Sequence, residues 1–170
     1  MNFPRILKKR KGYIDRIKPF MQKSVAKVLT GQRRVGKSFL LYQLIEEILA
    51  EEPDANIIYV NLEDFTFSSL QTAEDLHSYI ISHSKEKVKN YIFIDEIQDI
   101  PGFEKVIRSL LLNEDNDIYI TGSNAKMLSG ELATYLSGRY IEFKIYSLSY
   151  SEFLEFHGLT ESETSYELYS

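Results

Sequence analysis

The sequence contains no cysteine and no tryptophan, and only four prolines in 170 residues. Without cysteine there are no disulfides and no thiolate metal sites, so a bound metal would need oxygen or imidazole ligands. The three histidines, His77, His83 and His157, lack metal-ligand spacing. No apolar run approaches the roughly 18 residues that span a bilayer. The opening Met-Asn-Phe-Pro-Arg-Ile-Leu-Lys-Lys-Arg-Lys has basic residues but no apolar stretch or small-residue cleavage site. These absences point to the cytoplasm and to no membrane partner. An excess of positive charge is also missing. A net charge of −5 argues against broad, nonspecific adhesion to nucleic acid. The local exception is Arg5, Lys8, Lys9, Arg10 and Lys11, which reads as a solvated, mobile N-terminal helix, the alternative being contact with a phosphate backbone or an acidic partner.

What remains is 44% hydrophobic and 26% charged, which suits one globular domain with a real core. Residues 3–22 read as a helical lead-in, with Ile6, Leu7, Ile14 and Ile17 on one face and Pro19 near its end. Strands are expected at Ser24–Thr30, Ile57–Leu62, Tyr91–Asp95, Asp117–Thr121 and Tyr140–Ile145. Helices are expected over Ser38–Ala50, Gln71–Ser84, Phe103–Asn113 and Ser129–Leu136, with another opening at Ser149–Phe156. Gly122–Lys126 reads as a polar turn. This alternation predicts an α/β fold of three layers around a mostly parallel five-stranded sheet. The expected organisation is a lead-in at 1–22, a core at 23–157, and a linker or the start of a further region at 158–170.

Gly31-Gln32-Arg33-Arg34-Val35-Gly36-Lys37-Ser38 matches G-x-x-x-x-G-K-[ST], between a buried strand and an amphipathic helix. A chance match in a chain of this length has a probability on the order of 1%. The glycines let the backbone curl so that successive N–H groups face phosphate oxygens, and the helix N-terminus adds its positive dipole end. Lys37 supplies a point charge to β- and γ-phosphates, and the Ser38 hydroxyl can ligate Mg²⁺. The candidate nucleotide-binding set is Gly31, Gln32, Arg33, Arg34, Val35, Gly36, Lys37, Ser38 and Phe39. The side chains of Arg33 and Arg34 are expected to point outward and are given no role of their own.

Tyr91-Ile92-Phe93-Ile94-Asp95-Glu96 is a hydrophobic strand ending in two carboxylates, 58 residues after Lys37. In a parallel sheet they fall on the same C-terminal edge as the phosphate loop. Asp95 is the candidate Mg²⁺ ligand, and Glu96 the candidate general base toward water. A complete strand–helix unit between the two motifs points to the additional-strand class of P-loop ATPases. A GTPase would carry Asn-Lys-x-Asp where this chain reads Gly122-Ser123-Asn124-Ala125-Lys126-Met127, so ATP is preferred. Ser123 and Asn124 are candidates for sensing the γ-phosphate, the alternative being a turn stabilised by their own side chains. Asn61 faces the same edge and is a candidate restraint on Glu96. Arg139 precedes the fifth strand, placed to reach a neighbouring subunit's γ-phosphate or simply to follow a helix C-cap at Gly138.

Together, Val28 to Ser38, Tyr59-Val60-Asn61-Leu62-Glu63-Asp64, Phe93-Ile94-Asp95-Glu96-Ile97-Gln98, Thr121-Gly122-Ser123-Asn124, Leu136-Ser137-Gly138-Arg139-Tyr140 and Ser147-Leu148-Ser149-Tyr150-Ser151-Glu152-Phe153 resemble the prokaryotic AAA-type ATPases whose core precedes a C-terminal nuclease-like domain. The resemblance implies sheet order 5-1-4-3-2, ATP hydrolysis with Mg²⁺, a switch or motor role, Arg139 as the arginine finger of a homo-oligomer, and Ser123 or Asn124 as first sensor. It leaves room for a nucleic-acid or protein partner engaged through a further C-terminal region. The chain departs from the pattern in having no room for the helical lid that usually follows. The alternatives are a regulatory module that signals by nucleotide occupancy with little turnover, and the motor part of a nucleic-acid-handling protein.

Overall fold

The computed structural model describes residues 8–123, 131–136, 138–162 and 168–169. Five strands form one all-parallel sheet: β1 (Ala26–Gly31), β2 (Asn56–Asn61), β3 (Asn90–Asp95), β4 (Asn116–Ser123) and β5 (Tyr140–Lys144). Their order is β2-β3-β4-β1-β5, which read from the other edge is the expected 5-1-4-3-2. The helices are α1 (Lys11–Ile17), α2 (Lys37–Glu51), α3 (Ala73–His83), α4 (Phe103–Leu110), α5 (Glu131–Leu136) and α6 (Tyr150–His157).

Strand alternation divides the core in two. Leu29, Tyr91, Phe93, Tyr119 and Phe143 point to one face, where they pack with Ile14 and Ile17 of α1 and Leu40, Leu41, Leu44 and Ile45 of α2. Val28, Ile92, Ile94, Ile118 and Ile120 point to the other, against Leu76 and Ile80 of α3 and Val106 and Ile107 of α4. Both faces are covered, which is why β1 and β3 are buried along their whole length and carry few polar residues. At the N-terminal edge Asn56, Asn90 and Asn116 lie in register across three strands, and Asn56 donates to Asn90 Oδ1 at 2.7 Å. This polar row fixes the register of neighbouring strands that are otherwise interchangeable in hydrophobicity.

Two local expectations change. β4 continues past Thr121, because Gly122 and Ser123 pair with Thr30 and Gly31, so these two residues are strand where a turn was expected, and the rest of that expected turn, 124–126, lies outside the described residues. The basic cluster is not uniformly solvated. Lys9 and Lys11 make exposed ion pairs with Glu47 and Asp15, but Arg10 is only 4% exposed. Of the described residues in the lead-in expected at 3–22, the α-helix runs only over Lys11–Ile17, and Arg10 is its non-helical N-cap, whose side chain turns into the fold. Arg5 lies outside the described residues. Among the described residues no helix is long and apolar enough to cross a membrane.

Candidate functional site

β1 ends at Gly31 with no room for a side chain: a Cβ there would collide with the carbonyl oxygen of Ile145. The chain then curls through left-handed Arg34 (φ 66°) and Gly36 (φ 92°) and enters α2 at Lys37. The Lys37 ammonium is buried beneath this curl. It donates to the carbonyls of Gln32 at 3.1 Å and Gly31 at 3.3 Å, and lies 3.4 Å from Glu96 Oε1. Lys37 and Glu96 share a cavity of about 510 Å³ with Arg33, Arg34, Gly36, Ser38, Phe39 and Glu63. That volume falls within the roughly 300–1,000 Å³ of small-molecule sites.

β3 delivers the acids. Asp95 is 1% exposed, and its carboxylate accepts from the Thr121 hydroxyl of β4 and from the Tyr59 hydroxyl of β2 at 3.3 Å. Burial, and secondly the Asp95 charge, push the Tyr59 phenol well above its usual range, so it stays a donor. Glu96 follows at φ 56°, a left-handed conformation uncommon for a residue with a Cβ. Its N–H donates to Thr121 Oγ1 at 2.9 Å, which anchors this strained residue to β4. Its two carboxylate oxygens have different partners: Oε1 faces Lys37, and Oε2 accepts from Gln98 Nε2 at 2.6 Å.

The structure thus brings Lys37, Ser38, Phe39 and Glu96 to one cleft, with Asp95 beside Glu96 at the end of β3, which β4 separates from β1. Gln32 and Val35 lie in the loop between β1 and α2. Ser123 pairs with Gly31 at the same edge, and its backbone N–H donates to Gln98 Oε1 at 3.3 Å. Asn124 lies outside the described residues. Asn61 registers with Asp95, but its Oδ1 accepts the N–H of Glu63 at 3.0 Å, while Gln98 holds Glu96. Arg139 is exposed and sits elsewhere. It precedes Tyr140, which pairs with Ala26 at the start of β1, roughly 16 Å along the strand from Gly31.

Sequence reading missed two residues here. Gln98 lies on a short 3-10 turn (Ile97–Asp99) after Glu96, its position in the Asp-Glu-Ile-Gln run being the only signal. Arg10 donates to the Val35 carbonyl of the phosphate loop and to the Tyr146 carbonyl, both at 3.0 Å. It also forks onto Glu152 of α6 through Nε at 2.9 Å and Nη2 at 3.0 Å. Glu152 is held below the usual carboxylate range, mainly by these Arg10 hydrogen bonds, with burial opposing.

Comparison with known proteins agrees with this geometry. Residues 23–154 match the AAA domain family. The chain is 44% identical over 152 residues to an uncharacterized protein of Haemophilus influenzae, covering 85% of this chain and 37% of that protein. It is 37% identical over 131 residues to an uncharacterized protein of Methanocaldococcus jannaschii, covering 76% of this chain and 28% of that one. The chain therefore spans little more than a third, or less, of the relatives it matches. A chain of the Escherichia coli MS115-1 HORMA:CdnC:Trip13 complex superposes with a TM-score of 0.59 at 14% identity, over 94% of this chain and 63% of that one, a likeness of fold. With the five-stranded sheet, the loop–helix junction at Gly31–Ser38 and the match over most of its length, the chain belongs to the AAA domain family, a family of nucleotide-binding ATPases.

Proposed function

We propose that this chain binds ATP with Mg²⁺ at the cleft between the phosphate loop and Glu96, and hydrolyses it to ADP and phosphate as a switch or motor. The observation that carries this reading is the convergence of a buried cation, Lys37, with a carboxylate, Glu96, 3.4 Å apart in a cavity that Ser38 also lines. Two of the three ammonium donors go to loop carbonyls, so phosphate oxygens would take the place of the 3.4 Å contact with Glu96. The curl of the backbone at Arg34 and Gly36 suits an anion at the N-terminus of α2.

Ser38 Oγ and an Asp95 carboxylate oxygen are the groups suited to Mg²⁺, which usually takes one or two protein oxygens with substrate phosphates and water. The ion, when bound, neutralises charge on the phosphate oxygens. Lys37 binds the β- and γ-phosphates in exchange for part of its contact with Glu96, leaving that carboxylate to accept a proton from water. The water oxygen forms the new bond to the γ-phosphorus. The bond from that phosphorus to the bridging oxygen breaks, its electron pair leaves with ADP, and Glu96 holds the proton until inorganic phosphate takes it. Thr121 fixes Asp95 and Glu96 together, and the pairing of Ser123 with Gly31 supports its reading as a reporter of the γ-phosphate.

Two variants test the reading. Lys37→Ala should weaken ATP binding roughly tenfold or more by calorimetry, a loss of about 1.5–3 kcal/mol for a charged hydrogen bond. Glu96→Gln should bind ATP normally and hydrolyse almost none, since the amide keeps the size but accepts no proton. Parent-like affinity in the first, or parent-like turnover in the second, refutes the corresponding assignment.

A further inference from the structure

Gln98 is the only described residue that hydrogen-bonds both the Glu96 carboxylate and the end of β4. Its orientation is fixed by chemistry. The Ser123 N–H can only donate, so it must face the carboxamide oxygen, and the Glu96 carboxylate only accepts, so it must face the nitrogen. A glutamine satisfies both at once. Glutamate in its place would set a second carboxylate against Glu96, and methionine would satisfy neither partner.

The Glu96 carboxylate needs such a partner. Lys37 draws on Oε1 from one side, and any exchange of that ammonium onto phosphate removes the restraint. A glutamate at a left-handed backbone position, freed of its cation, would sample several rotamers, and few of them point toward a water beside the phosphate loop. Gln98 holds Oε2 independently of Lys37, and its other end is tied to Ser123 beside the loop's own strand. We propose that Gln98 is a positioning residue for hydrolysis. It fixes Glu96 in its working orientation and couples that orientation to the position of the end of β4. The proposal rests on the reading of Glu96 as the base in ATP hydrolysis.

The test compares Gln98→Met and Gln98→Glu with Glu96→Gln in the full chain. Gln98 is only half-buried, so both variants should fold with melting temperatures close to the parent. Kd for ATP and ADP should stay within about twofold, while kcat falls about ten- to a hundredfold, the scale of misplacing one reacting group. A merely structural glutamine would instead lower affinity, melting temperature and kcat together, which overturns the proposal. A second readout needs no nucleotide. The Gln98 side-chain NH₂ resonances, assigned by their loss in Gln98→Glu, should exchange slowly with water in the parent and quickly in Glu96→Ala. Unchanged exchange in Glu96→Ala means the bond does not form, and the proposal falls. Parent-like kcat in both Gln98 variants beside an inactive Glu96→Gln overturns the role of Gln98 and leaves the base assignment intact. An active Glu96→Gln overturns the functional reading itself.

Discussion

Removing the Glu152 carboxylate should destabilise the domain by about 3 kcal/mol, although α6 lies at the edge of the fold. Glu152 accepts two charged hydrogen bonds from Arg10, at 2.9 and 3.0 Å, and Arg10 is 4% exposed against 25% for Glu152. Breaking a buried pair from one side costs about 3–5 kcal/mol. Partial exposure of Glu152 and the carbonyls of Val35, Tyr146 and Ser147 that Arg10 keeps bring the value to the lower end. That total includes the capping box Glu152 closes with Ser149, itself worth about 1 kcal/mol.

Urea unfolding of Glu152→Ala should show this as a lower midpoint at unchanged slope, and as a fall in melting temperature of roughly 6–12 °C. A cycle with Arg10→Met and Glu152→Gln should give a coupling of about 1.5–3 kcal/mol that survives 1 M NaCl, because a buried pair is little screened. Coupling near zero, or abolished by salt, would mean that Arg10 is held by the carbonyls alone. The sign in acid follows. Because the folded-state pKa of Glu152 lies below its unfolded value, the pair's contribution is full above about pH 4.3 and is lost as pH falls through the folded value. Glu152→Gln should therefore be less acid-sensitive than the parent, and an unchanged acid limb would refute the assignment.

Lys27→Met should cost about 3 kcal/mol in urea unfolding, because Lys27 and Asp117 are an ion pair with no solvent exposure and the stranded carboxylate keeps only Gln22 N and Tyr119 OH. A loss under 1 kcal/mol would show that Asp117 becomes neutral at no great cost. Arg139→Ala should bind ATP nearly as the parent does and hydrolyse it poorly in a chain that assembles. Mixed with Glu96→Gln it should recover part of the activity, and no recovery in verified mixed oligomers would place Arg139 in its own subunit or in capping alone.

The sheet and its motif edge were legible because both follow from local rules. A hydrophobic strand stopped by glycine, then Gly-Lys-Ser and an amphipathic run, can be read in one continuous stretch, residues 24–50. Parallel strands then bring Gly31, Asp95 and Ser123 to one edge without further information. The same rule explains why Arg139 had to lie far from that edge: it enters β5 where β1 begins, and a strand's length separates it from the loop of its own chain. Polar residues whose partners are distant were not legible. The hydrophobic pattern treats Arg10 as one of five basic residues, and its place just before α1, outside the helix, gives no periodicity from which its burial could be read. Val35, Tyr146, Ser147 and Glu152, 25 to 142 residues away, give that burial a chemical reason. A basic residue at the entry to an apolar helix is therefore better read as a question about its partner than as surface charge. Here the answer joins three segments that sequence reading kept apart. The lead-in, the loop after β1 and α6 meet at one guanidinium, which binds the carbonyl of Val35 one residue before the left-handed turn at Gly36 that opens α2.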